Sequence, residues 1–390
     1  LAPISGTDQV RGVEIAIAEQ GLLLDHPVIM QIEDELCSPE GGGAGANILL
    51  TNDQIVGVIG TTCDESAVAA APLFAEAGWV LISGANTRPD LTRYQGVTGN
   101  AHVNGYARTI YNNEWQAIIS ANFAYQELGN PRVAIVHEAT IDSLRLSDSF
   151  ANAITGLSGV SPVILELGTD EAGQLAAIEA LIAAQVDLVY LPLSYLDTTD
   201  MVQRIGATAE LENVIMLVST NALSESFLGS VGDYSLGLYA AAPTPFTTDH
   251  YALYREQYLT TYQTNPVDPI DFSVYAYDAA QLLFHALEQV SQVRADGSLF
   301  IGRGALRQAV LSSAGVDGAT GLLNCDTFGL GDCGNATMAI IQVEDPELGL
   351  EAFRQNMVFQ ADVNALIRPT MTLWYPSAPG SAGEEALLQV

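Results

Sequence analysis

Residues 55 to 83 read IVGVIGTTCDESAVAAAPLFAEAGWVLIS. The opening run, Ile55-Val56-Gly57-Val58-Ile59-Gly60, is short and continuously apolar, the pattern of a strand buried on both faces. Ser66 to Gly78 has helix length and ends in glycine, and Trp79-Val80-Leu81-Ile82-Ser83 is apolar again. A strand, a helix and a second strand in succession imply a parallel pair, because parallel strands need a crossover rather than a tight turn.

The same alternation extends in both directions. Arg132–His137, Pro162–Leu167, Asp187–Leu191 and Val214–Ser219 read as further buried strands. Helical stretches separate them at Leu144–Leu157, Glu171–Ala184 and Thr199–Ala209. Leu1 to Gly6 reads as the end of a first strand. Continuous apolar strands between helices predict α/β architecture with parallel sheets covered on both faces. A chain of 390 residues exceeds the usual single core, so two domains are expected. Junctions are predicted at Leu128-Gly129-Asn130-Pro131, at Ala242-Pro243-Thr244-Pro245 and in the Cys325–Cys333 stretch. Three crossings make both domains discontinuous, as hinged pairs are. The predicted first lobe is 1–130 with 246–330, and the second is 131–245 with 331–390. No solenoid repeat is visible.

Composition excludes several functions. Acidic residues number 46 against 13 basic ones, all of them Arg, for a net charge of −33. Such a surface repels nucleic acid and anionic lipid. The absence of Lys removes Schiff-base chemistry on the polypeptide and any P-loop. No apolar run has membrane-spanning length. The sequence opens without Met or signal peptide, which reads as a processed or trimmed chain and leaves room for an export signal that is not seen. Four cysteines, Cys37, Cys63, Cys325 and Cys333, fall in two neighbouring sets and suit disulfides in an oxidising compartment better than free thiols or zinc.

Enzyme signals are weak. His137-Glu138-Ala139-Thr140 lacks the second His of a zinc protease, and no G-x-S-x-G occurs. Gly41-Gly42-Gly43-Ala44-Gly45-Ala46 lacks the dinucleotide spacing and reads as a small-residue helix start that packs closely. No metal or cofactor is expected. The informative loops follow the strands, where open α/β sheets bind ligands. In Gly60-Thr61-Thr62-Cys63-Asp64-Glu65-Ser66, hydroxyls and helix N-terminal N–H groups fit a ligand carboxylate. Ordinary N-capping by Asp64 or Ser66 fits equally well. Ala85-Asn86-Thr87 follows the next strand, with Thr87 offering a donor and an acceptor and expected to matter most. Across the junction, Asp142, Ser194-Tyr195 and Thr220-Asn221 follow three further strands. Each loop alone is an ordinary polar loop. Facing one crevice, they make a small-molecule site.

Taken in order, these segments resemble the type I periplasmic solute-binding proteins, in the leucine/isoleucine/valine-binding branch that serves branched-chain amino acid ABC transporters. The resemblance rests on Cys37-Ser38-Pro39-Glu40, Val58-Ile59-Gly60-Thr61-Thr62-Cys63 and Glu76 to Ser83 with Thr87-Arg88-Pro89-Asp90-Leu91-Thr92. Phe123 to Gly129 and Tyr275-Ala276-Tyr277-Asp278-Ala279-Ala280 extend it, and it covers residues 1 to about 343. It implies two Rossmann-like domains with three hinge crossovers and a ligand cleft between them. The implied function is a receptor, not an enzyme, that closes on an amino acid or related small polar solute and delivers it to an ABC permease. The implied setting is the periplasm or cell exterior, with the chain free or lipid-anchored and monomeric. A disulfide is implied for Cys37 and Cys63, and ligand contacts for Thr62, Cys63, Asp64 and Ser66, for Ala85 to Thr87, and near Asp142, Tyr195 and Thr220.

Three departures bear on the ligand. Asp64 stands where the family commonly places a carboxylate-binding Ser, and Thr220 where an acidic group pairs the ligand ammonium. The loop after Ser5-Gly6 is short and lacks an aromatic lid. These changes argue against an ordinary aliphatic amino acid and for an amine-bearing or amide-bearing solute. The tail after Val343, with Trp374-Tyr375, has no counterpart in the resemblance. A sensing module of the same fold is the alternative function, and an amidase-type enzyme a distant third.

Overall fold

A computed structural model describes residues 2–266, 270–325, 330–335, 337–366, 372–373 and 388–389. Trp374 and Tyr375 lie outside these residues. The described residues open with helix α1 (Ala2–Gln20), which corrects the strand end read at Leu1–Gly6 and the short loop read after Ser5-Gly6. Val13, Ile15 and Ala16 are buried and lay α1 along the later helix Phe272–Val290. That apolar stripe lies beyond the six residues on which the strand reading rests, so the short run misleads. At Gly12 a Cβ would stand 1.9 Å from the Ser273 carbonyl oxygen, so the two helices meet backbone to backbone.

Helix α2 (Pro39–Leu49) begins at Ser38, whose Oγ accepts the Gly41 N–H at 3.0 Å, with proline at the first turn. The glycine run is therefore helical. A Cβ on Gly42 would lie 2.6 Å from the Ser66 carbonyl oxygen, which explains the small residues where α2 crosses α3 (Asp64–Glu76). The first sheet runs β1 (Val58–Ile59), β2 (Leu81–Ser83), β3 (Tyr106–Arg108), all parallel.

The chain then enters α4 (Glu114–Gln126), which packs on α5 (Ile141–Ser158) and against strands of the second sheet. Five parallel strands follow: β4 (Val133–His137), β5 (Val163–Glu166), β6 (Leu188–Leu191), β7 (Ile215–Val218) and β8 (Tyr239–Pro243). Helices α6 (Glu171–Ala184) and α7 (Tyr195–Gly206) link the middle ones. Val133 and Ile135 enter one core while Ala134 and Val136 enter another, and β6 divides likewise. Both faces of these inner strands are thus covered, which is why they are apolar at nearly every position.

After β8 the chain returns to the first sheet's side with α8 (Asp249–Tyr262), α9 (Phe272–Val290) and α10 (Arg303–Leu311). Gly331 and Cys333 then run beside β3, the Arg108 N–H donating to Gly331 O at 2.8 Å and the Cys333 N–H to Arg108 O at 2.8 Å. Crossing back, β9 (Thr337–Gln342) pairs antiparallel with β8, and β10 (Met357–Asp362) with β9. The order of the second sheet is β10-β9-β8-β7-β6-β4-β5. Residues 344–366 thereby complete that sheet. Disulfides join Cys37 to Cys63 and Cys325 to Cys333.

Candidate functional site

The loops at the carboxyl ends of β1 and β2 lie side by side. Cys63 is the residue before α3 and makes no side-chain cap, so the capping reading for Asp64 or Ser66 is corrected. A carboxylate from elsewhere in the chain instead holds the segment that leads into α3. Glu35 Oε1 accepts the N–H groups of Thr62 at 3.0 Å and Cys63 at 2.8 Å, held there by the Cys37–Cys63 disulfide. Burial pushes the Glu35 carboxyl above its ordinary range. Ser66 is fully buried and its Oγ donates to Ser38 O, so it serves the packing of α2 on α3. The Thr62 hydroxyl accepts from Gln9 Nε2 on α1 at 2.9 Å.

Asp64 Oδ1 accepts the Arg88 backbone N–H at 3.3 Å. Burial, with the charge of Asp142 added, pushes its carboxyl up to about 7. Ser83 Oγ accepts the N–H groups of Ala85 at 3.1 Å and Asn86 at 2.9 Å, which folds the second loop. Asn86 is buried, its Oδ1 accepting from Thr61 Oγ1 and Tyr106 O–H at 3.2 Å each. Thr87 is half-buried, its carbonyl accepting the Asn113 N–H at 2.8 Å. Behind the loop the fully buried Arg108 donates to Asn86 O and Arg88 O at 3.1 and 2.7 Å, to Asp332 at 2.6 Å and to Thr92 Oγ1.

The second wall begins at the first turns of α5. Asp142 and Arg145, three residues apart, share one helix face. Arg145 Nη2 reaches Asp90 Oδ2 at 2.8 Å, crossing from α5 to the loop after β2. Arg88 grips the same carboxylate from the other side, Nε to Oδ1 at 2.6 Å and Nη2 to Oδ2 at 3.1 Å, while its Nη1 meets Glu65 at 2.8 Å. Although burial opposes it, Arg88 and Arg145 hold Asp90 below the usual carboxylate range. The walls around Asp142 raise its carboxyl.

Not every proposed residue joins this cluster. The hydrogen-bond partners of Ser194 and Tyr195 are Glu138 and Ser230, both in the second sheet's layer. Thr220 is buried, its N–H donating to Gln116 Oε1 of α4 at 2.9 Å. The Asn221 side chain lies outside the described residues. Sequence reasoning does not single out Glu35, Asp90, Arg108 or Arg145. The signal was there: with 13 Arg against 46 acids, each Arg in or beside a strand-end loop is worth following. Among the described residues no group of three or more His, Cys, Asp or Glu is placed to hold a metal ion.

Comparison with known proteins bears on the fold and the family. The chain is 28% identical over 200 residues to the Leu/Ile/Val-binding protein BraC3 of Rhizobium johnstonii, covering 49% of this chain and 52% of that one. It is 30% identical over 139 residues to the Leu/Ile/Val-binding protein of Citrobacter freundii, covering 34% and 35%. The chain thus matches about half the length of these curated relatives, or less. Among solved structures, an ABC transporter substrate-binding protein from Sphaerobacter thermophilus superposes with a TM-score of 0.70 at 19% identity, over 89% of this chain and 91% of that one. A leucine-binding protein from Thermotoga maritima gives 0.67 at 19% identity, over 88% and 92%. These likenesses establish the fold. Because a family model described as periplasmic binding protein matches residues 1–345, the chain belongs to the periplasmic binding protein family.

Proposed function

We propose that this chain is the extracytoplasmic receptor of an ABC importer, closing two lobes on an amino acid or related small polar solute. The observation that carries the reading is the Arg145–Asp90 contact of 2.8 Å, which joins strand-end loops of two different sheets. Loops so placed line a crevice that opens when the sheets part, and a hinge of three crossings allows that motion. The lobes divide at about residues 109–113, at the link after Pro243 and at the link before β9, with α4 counted in the second lobe because it packs there. The chemistry of the cleft is that of binding: carboxylates, guanidinium groups and hydroxyls, with no nucleophile among the described residues activated by a neighbouring base. Relatives named for leucine, isoleucine and valine support an amino-acid-like solute.

The test is a thermal-shift screen against the standard amino acids, small amides, polyamines and aromatic acids. A ligand at a hundred times its dissociation constant stabilises by about 2.7 kcal/mol, a shift of several degrees. A shift with one chemical class supports the receptor and identifies that class. No shift with any compound rejects a receptor for these solutes.

A further inference from the structure

We propose that Arg145 and Asp64 bind the ligand with opposite charges, so that a zwitterionic solute lies with its carboxylate on Arg145 and its ammonium on Asp64. This rests on the receptor reading above and deepens it. Three independent features of the cleft support it.

First, two of the backbone donors beside α3, the N–H groups that lead into the helix, already hold a carboxylate of this chain. Glu35 Oε1 already accepts the N–H groups of Thr62 and Cys63. A second carboxylate there would meet one already in place. Second, Arg145 has an unused donor in the gap between the lobes. Its Nη2 is tied to Asp90, its side chain is 13% exposed, and its Nη1 is buried without a hydrogen-bond partner. A guanidinium N–H left so needs an acceptor, and a carboxylate oxygen is the strongest one. Third, among the described residues neither Asp64 nor Asp142 forms an ion pair. Arg88 is committed to Asp90 and Glu65, Arg145 to Asp90 and Arg108 to Asp332. The two carboxylates come from opposite lobes, and the charge of Asp142 acts on Asp64. An ammonium between them removes that repulsion. The polarity of the site is thus the reverse of the one that the family resemblance implies.

The test is calorimetric titration of the full chain. The best-binding standard amino acid is compared with its carboxamide, which keeps only the ammonium, and with its deaminated acid, which keeps only the carboxylate. Arg145→Gln is expected to cut the amino-acid-to-carboxamide affinity ratio about tenfold or more, while Arg145→Lys retains much of it. Asp64→Asn is expected to leave that ratio in place and to cut the ratio of amino acid to deaminated acid by a similar factor. Ratios are read because Arg145→Gln also loosens the contact with Asp90, which weakens every ligand alike. If Asp64→Asn strengthens carboxylate binding, or neither variant moves its ratio, the inverted polarity is wrong. If only an uncharged amide or a simple acid binds the wild type, this inference fails and the receptor reading stands. If nothing binds, the receptor reading itself falls.

Discussion

Asp64 carries the consequence of its place most directly. Its carboxyl is pushed up to about 7 by burial, against 3.8 for the free side chain. Between those values the folded chain holds a proton that the unfolded chain has released, so stability falls as pH rises through this window. The charges facing it are Asp142 across the cleft, with Arg88 and Arg108 on its own lobe. Asp64→Asn removes the group that must ionise. In the ligand-free protein it is expected to raise Tm at about pH 8 and to change it little at about pH 4. An equal shift at both pH values in thermal melts would show that the carboxylate is not desolvated. Thr87 makes a second expectation. Its backbone is fixed by Asn113 while the side chain is half-buried at the loop tip, so Thr87→Ala is expected to weaken the ligand about fivefold by calorimetry with little change in Tm. Equal affinity would remove Thr87 from the site. Loops following strands can be read from sequence, and that reading names Asp64, Thr87 and Asp142 as candidates. The Arg145–Asp90 pair could not be, because its members lie 55 residues apart and only the fold brings them together.

Helix packing gives expectations at the scale of elements. Where α1 crosses α9, a Cβ on Gly12 would collide with the Ser273 carbonyl oxygen at 1.9 Å and its carbon at 2.8 Å. Backbone cannot yield as a side chain does, so Gly12→Ala is expected to destabilise by about 3 kcal/mol or more. Gly43 is also helical, in α2, but a Cβ there meets nothing within 4 Å. Gly43→Ala is therefore expected to stabilise by roughly 0.5–1 kcal/mol through helix propensity alone. Denaturant unfolding of the two variants separates close approach from mere glycine content, and similar effects would refute the packing account. The same contrast explains which elements could be read. Strands β4, β6 and β7 are apolar at nearly every position because helices cover both their faces, and that pattern needs no partner to be recognised. Helix α1 was misread because its buried stripe begins after the short apolar opening. Helix α4 was recognised as a helix but not as part of the second sheet's layer, since nothing local says which sheet a helix covers.

Across the whole molecule, a net charge of −33 acts on every equilibrium the chain undergoes. Folding gathers these charges into a smaller volume, and the lobe closure proposed above would gather them further, so self-repulsion opposes both steps. Salt weakens that repulsion: the Debye length falls from roughly 10 Å at 0.1 M to roughly 3 Å at 1 M. The opposing contribution is small, because the ion pairs are few and the inner ones, Asp90 with Arg88 and Arg145, are largely buried and therefore less screened. Added salt is thus expected to raise Tm, steeply below about 0.3 M and weakly above it, as screening saturates. Sodium chloride and potassium chloride should act alike if screening is the cause, whereas sulfate should exceed chloride at equal ionic strength only through exclusion from the surface. Melting curves in the three salts decide between these causes. A Tm that falls as chloride rises would mean that the few Arg pairs outweigh the repulsion of the acidic surface, and the fold would then be held electrostatically at the Arg88–Asp90–Arg145 junction between its lobes.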